Sequence, residues 1–229
     1  MGGVDVPSKE QLLTMQRSNY LLHARGGELR KVPAEKFPLP HDPKGRPGMV
    51  RVSRAPNGTL YVAQPTMMCK STDGGRTWEA RQRGAGPSGE PIGDRFQVLR
   101  NGTFVTAACD EKNQPDVVQV HVSSDEGRSW RQISRMAVPR QYHSCPKSYP
   151  AVGMVGIVYR FPDDTLLCIV NGHTNEHGEK WSWISGQATL MSYRSSDLGK
   201  SWEGPSVILC WALGEGGVVQ TASGKLLLA

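Results

Sequence analysis

The sequence predicts an all-β protein, a β-propeller of four-stranded antiparallel blades, and three observations carry that reading. One short motif, S-x-D-x-G-x-[ST]-W, occurs three times: Ser71-Thr-Asp73-Gly-Gly75-Arg-Thr77-Trp78, Ser123-Ser-Asp125-Glu-Gly127-Arg-Ser129-Trp130 and Ser195-Ser-Asp197-Leu-Gly199-Lys-Ser201-Trp202. An apolar strand, a turn and a second apolar strand precede each copy, and long repeats of this kind signal stacked or radial architectures. Glycine (26) and proline (16) together make up nearly one residue in five, which suits many short strands joined by tight turns.

The motif has a physical logic. An Asp in a tight turn accepts hydrogen bonds from nearby backbone N–H groups, and Ser or Thr adds a further local bond. The Gly two residues later supplies a positive φ. The Trp leads into the next strand with a large surface to bury between sheets. Asp73, Gly75, Trp78, Asp125, Gly127, Trp130, Asp197, Gly199 and Trp202 are therefore read as folding residues rather than chemical ones.

The elements follow in chain order. Residues 1–48 carry no motif and are read as an N-terminal extension. It contains a helix-start pattern at Ser8-Lys-Glu-Gln11 before Leu12, Leu13 and Met15, and a Pro-rich, loop-like stretch from Glu35 to Gly48. Met49-Val-Arg-Val-Ser-Arg-Ala-Pro before Asn57-Gly58 opens the first blade, residues 49–94. Arg95-Phe-Gln-Val-Leu-Arg before Asn101-Gly102 opens the second, 95–154. Gly156-Ile-Val-Tyr-Arg-Phe-Pro before Asp163-Asp164 opens the third, 155–213. Gly217-Val-Val-Gln-Thr-Ala before Ser223-Gly224 starts a half-blade, 214–229. Asn-Gly between alternating apolar residues is a strong hairpin signal. Each unit reads as strand, hairpin, strand, loop, strand, motif turn, strand, which is one propeller blade. Closed rings have four to eight blades, so three and a half suggest a fragment.

Composition narrows the partners. The net charge of +6 comes without a block of consecutive Lys or Arg, so no nucleic-acid footprint is expected. No apolar run reaches the roughly 20 residues needed to span a bilayer, so no membrane partner is expected either. The first residues lack a signal-peptide pattern, and the compartment stays unknown. The five cysteines, Cys69, Cys109, Cys145, Cys168 and Cys210, are widely spaced without a C-x-x-C pair, and read as buried free thiols. No cofactor and no metal are expected. His173-x-x-Glu176-His177 matches an H-x-x-E-H pattern, but that pattern works on a helix, and Gly172 and Gly178 flank it.

With these motifs in place, the chain over residues 49–229 resembles the sialidase and wider Asp-box (BNR) repeat family. The resemblance implies a six-bladed propeller in the complete protein. It also implies that the Asp boxes lie on the end of the blades away from the functional one. The functional end then collects the starts of the inner strands and the loops between second and third strands. These are Arg51, Arg95, the stretches 110–119, 142–149 and 171–187, and Glu215.

The family places an Arg at the start of the first inner strand, where it holds a sialic acid carboxylate by charge-assisted hydrogen bonds. Arg51 stands at that position, without the Ile-Pro that follows it in the family. The family also places a Glu before a Val-rich strand, where it activates a Tyr nucleophile. Gly214-Glu215-Gly216-Gly217-Val218-Val219 fits, which makes Glu215 the catalytic candidate. Arg95, His173, Glu176, Trp181 and Trp183 complete the substrate-binding candidates, because long polar-aromatic loops on a rigid scaffold suit sugar binding. The family's acid/base Asp has no counterpart in Val62-Ala-Gln-Pro-Thr-Met-Met. Two readings result. One is a glycan-directed glycoside hydrolase of exo-sialidase type when complete, this chain being an inactive fragment. The other is a non-catalytic propeller that binds a carbohydrate or a protein. The ligand expected is a glycan or another anionic small molecule.

Overall fold

The structure is a computed structural model of the chain. It describes residues 20–25, 28–33, 37–40, 42, 52–85, 95–110, 114–138, 151–174, 187–212, 218–221 and 223–228. All regular structure among the described residues is β. Three four-stranded antiparallel sheets follow one another: β3–β6 (Val52–Arg54, Leu60–Ala63, Met67–Ser71, Glu79–Gln82), β7–β10 (Phe96–Val98, Phe104–Asp110, Gln114–Ser123, Arg131–Ala137) and β11–β14 (Ala151–Arg160, Leu166–Thr174, Gln187–Ser195, Glu203–Ala212). In each sheet spatial order equals chain order. A final pair, β15 (Val218–Gln220) and β16 (Leu226–Leu228), begins a fourth unit. This is a partial β-propeller, as the repeat predicts.

The sheets pack face to face, and each junction has its own core. Tyr61, Ala63 and Met68 of the first blade meet Phe96, Val98, Phe104 and Trp130 of the second. Phe96 and Phe104 stack at 4.7 Å between centroids, and Tyr61 meets Phe104 edge-on at 4.8 Å. Val105, Val118, Val120 and Met136 meet Val158, Leu166, Cys168, Met191 and Tyr193 across the next junction. Ile169 and Leu190 carry the core on to Val218. First strands are tied to first strands: Ser53 Oγ donates to the Phe96 carbonyl, and the Val218 N–H donates to Tyr159 Oη at 2.9 Å. Cys69 and Cys168 are buried free thiols.

The hairpins joining first and second strands share one geometry. Gly58 N bonds to Ala55 O and Ala55 N to Thr59 O, and the pattern recurs at Leu99–Thr103, Phe161–Thr165 and Thr221–Lys225. Only the fourth residue takes a positive φ: 89° at Gly58, 82° at Gly102, 64° at Asp164 and 82° at Gly224. The turn is thus type I followed by a one-residue bulge, and not the two-residue turn that Asn-Gly suggests. Asn57, Asn101 and Asp163 accept a hydrogen bond from the backbone N–H two residues on, at 3.0–3.1 Å.

The extension also contains a hairpin, β1 (Tyr20–Arg25) and β2 (Glu28–Pro33). Three other sequence expectations differ from the structure. The stretch 110–119 is mostly strand, since β8 ends at Asp110 and β9 starts at Gln114. β12 runs through Thr174, so 171–174 are strand as well, and β11 begins at Ala151. The helix-start pattern at 8–15 lies outside the described residues.

Candidate functional site

Topology divides the blades into two ends. The hairpins and the Asp boxes share one end; the loops between second and third strands, and the starts of first strands, share the other.

At the box end, the three turns superimpose bond for bond. Ser71 Oγ donates to Asp73 Oδ1 at 2.8 Å and accepts from Gly75 N at 2.8 Å. Thr77 donates to Asp73 through N at 2.9 Å and through Oγ1 at 2.6 Å. Asp125 receives the same bonds from Ser123 and Ser129, and Asp197 from Ser195 and Ser201, all between 2.6 and 2.9 Å. The hydroxyl and N–H of Ser201, with Ser195, bring Asp197 down to about 2. Burial works against the bonds at Asp125, which still falls to about 2, and Asp73 lies well below the usual carboxylate range through Thr77 and Ser71. Each of the three box aspartates is held by hydrogen bonds from its own turn.

The indoles close the motif. Trp78 Nε1 donates to Gly75 O at 2.9 Å, and Trp202 Nε1 to Gly199 O at 3.1 Å. Trp130 Nε1 has no partner among the described residues. The oxygen it would use, Gly127 O, accepts from Gly84 N of the first blade at 3.1 Å. Gly84 is obligatory there, because an added Cβ would lie 1.8 Å from the Arg128 carbonyl oxygen.

The opposite end holds a residue that sequence reasoning missed. Asp42, fully buried, comes from the extension to the loop 64–66 of the first blade. Its carboxylate accepts from Thr66 N at 2.6 Å and Thr66 Oγ1 at 2.7 Å. Its own N–H donates to Gln64 Oε1 at 3.0 Å, while Gln64 Nε2 donates to Pro40 O at 2.7 Å. Arg83 Nη1 donates to Gln64 O at 3.0 Å. A carboxylate therefore reaches the loop that has none of its own, but it is enclosed. Burial pushes the Cys69 thiol up, the Gln64 amide pulls it back, and the Asp42 charge raises it further.

Of the residues proposed for the site, Arg95 is described in full. It directly precedes β7, is half-buried, and its carbonyl accepts from Thr106 Oγ1 at 2.7 Å. His173 lies in β12, one residue before the strand's end, paired in register with Gly153 and Ala188. Both thus stand at the loop end, on adjacent blades. Arg51, Glu176, Trp181, Trp183 and Glu215 lie outside the described residues. Among the described residues no group of three His, Cys, Asp or Glu side chains could hold a metal ion.

No protein-family model and no curated protein sequence matches the chain. Solved structures do resemble it. An α-L-arabinanase of Penicillium chrysogenum, complexed with arabinobiose, has a TM-score of 0.47 at 15% identity, over 78% of this chain and 55% of that one. An α-L-arabinofuranosidase of Fusarium graminearum, bound to an iminosugar inhibitor, has 0.43 at 17%, over 76% and 53%. An endo-arabinase of Bacteroides thetaiotaomicron has 0.43 at 11%, over 87% and 75%. The chain spans about half the length of the first two. All three are glycoside hydrolases, and none is named a sialidase.

Proposed function

We propose that this chain belongs to a glycan-directed β-propeller of the glycoside-hydrolase kind, with its sugar site at the loop end of the blades. The supporting observation is the division of labour between the two ends. The box end holds its three box aspartates in turn-internal bonds. The loop end carries Arg95 at a strand start and His173 at a strand end, on a scaffold of paired strands. Sites on rigid elements hold geometry best.

The finer reading is the exo-sialidase type. Arg51 and Arg95 would hold the carboxylate of the sugar, and Glu215 would serve as base partner of a tyrosine nucleophile. His173 and Glu176 would bond hydroxyls, and Trp181 and Trp183 would stack on rings. Titration of the chain with sialyllactose, lactose and arabinobiose, followed by NMR, tests this. The expected result is preference for the sialylated sugar, weakened about tenfold or more by Arg51→Ala and by Arg95→Ala. Equal binding of sialyllactose and lactose would remove the sialidase type, and preference for arabinobiose would replace it with an arabinan type. The non-catalytic reading draws support from Asp42, the carboxylate at the first blade's loop, being wholly enclosed. Glycan binding without turnover of a fluorogenic sialoside or arabinofuranoside by the complete protein would favour it.

A further inference from the structure

The second and third Asp boxes each dock on the blade before them, and the two seams differ in chemistry. At the first seam, Glu126 of the second box reaches over the first blade. Its carboxylate accepts from Lys70 Nζ at 2.7 Å and Tyr61 Oη at 3.0 Å, and Arg81 Nη2 lies 3.8 Å away. At the second seam the motif register puts Leu198 in the place of Glu126, Val122 in that of Lys70 and Ile133 in that of Arg81. The substitution of position is close: Glu126 and Leu198 share a left-handed backbone, with φ of 59° and 64°. The second seam thus lacks the ionic cluster of the first; Ser134 Oγ donates to Gly199 O and accepts from Trp202 Nε1 there instead.

The space the ionic cluster would fill is open. A cleft of about 490 Å³ lies there, floored by Val122, Ile133 and Leu198, with Arg131 and Lys200 at its rim beside Asn101. The volume falls within the usual range of small-molecule sites. Arg131 and Lys200 are exposed, and neither has a carboxylate partner among the described residues. At the first seam the position of Arg131 is held by Glu79, and the cations there, Lys70 and Arg81, face Glu126, which has no counterpart at this cleft.

We propose that this cleft, on the box end between the second and third blades, binds a small organic anion with an apolar face. The ring or chain of the ligand lies on Leu198, Ile133 and Val122, removing apolar surface from water. Its carboxylate or sulfonate faces Arg131 and Lys200. The site is separate from the sugar site proposed above, since it lies on the opposite end of the blades, and it stands whether or not that reading does.

The test uses the whole chain with two probes of the same shape, naphthoate and naphthamide, in NMR titrations. Naphthoate is expected to bind with a Kd of about 1 mM or tighter, and naphthamide about tenfold more weakly. Arg131→Ala with Lys200→Ala, both exposed and so neutral to folding, brings naphthoate to the level of the amide. Val122→Lys with Leu198→Glu rebuilds the ionic contact of the first seam and abolishes binding of both probes. If that pair of changes prevents folding, the Arg131 and Lys200 pair alone decides. Equal affinity for the two probes, binding unmoved by the Arg131 and Lys200 changes, or no binding of either probe would overturn the assignment.

Discussion

Asp125 carries its box almost alone, and its removal isolates what a box contributes. Asp125→Ala deletes bonds from Ser123 Oγ, Ser129 N and Ser129 Oγ. Each is worth about 1 kcal/mol net, less in an exposed turn, so a total loss of roughly 2 kcal/mol is expected in urea unfolding. Glycan affinity of the folded remainder stays unchanged; a large loss at unchanged stability would place the boxes in the site. These residues were legible in the sequence because the box is local, with every partner within four residues. Asp42 was not. Its partner Thr66 is 24 residues away, and no periodicity links them. Nor could spacing alone reveal that Glu126 and Leu198, at one motif position, make an ionic contact at one seam and an apolar one at the other.

At the scale of the element, the third hairpin departs from its siblings. Asp164 takes the left-handed position that Gly58, Gly102 and Gly224 take in the others. It holds that conformation through an ion pair with Arg160 at 2.7 Å, largely shielded from solvent, and accepts from Arg100 N at 3.1 Å. Asp164→Ala keeps the strain and loses both contacts, so it is expected to cost about 2 kcal/mol. Asp164→Gly loses the contacts but relieves the strain, and is expected to cost about 1 kcal/mol less than Ala. Equal losses in thermal unfolding would show the strain to be negligible. The strand pairs themselves were readable from alternation and Gly turns. The length of β8, β9 and β12 was not, because polar residues such as those at 171–174 continue a ladder whose backbone bonds ignore side-chain polarity. The β1–β2 hairpin escaped notice although Gly26-Gly27 is a turn signal.

For the molecule as a whole, acid acts in two stages. His121 is buried, its Nδ1 lacks a partner among the described residues, and burial lowers its pKa below 6.5 against a backbone bond at Gln119. The unfolded chain therefore takes up a proton that the folded one resists, and stability falls as pH drops below 6.5. Asp125 and Asp197 are depressed to about 2, below the ordinary value of about 4 for Asp. Their contribution is whole above about 4 and is lost as pH falls toward about 2. Urea midpoints followed from neutral to acid pH are expected to show both stages. His121→Phe removes the upper one, and Asp125→Asn with Asp197→Asn flattens the lower. A profile unchanged by both sets would assign the acid response to other groups.

The overlap of the second and third boxes on the blades before them gives the chain a direction in time as well as in space. Synthesis on the ribosome delivers the first blade, through Gln82, before Glu126 and Gly127 exist to cover Tyr61 and Met68. A nascent chain should therefore hold each blade half-finished until the next one has emerged, so that maturation trails translation by one repeat. Ribosome-bound chains ending at Asp94 and at Val138 should differ accordingly. Protease should clear the first blade from the shorter chain and spare it in the longer. Equal protection in both would mean that a blade matures without the shingle laid over it.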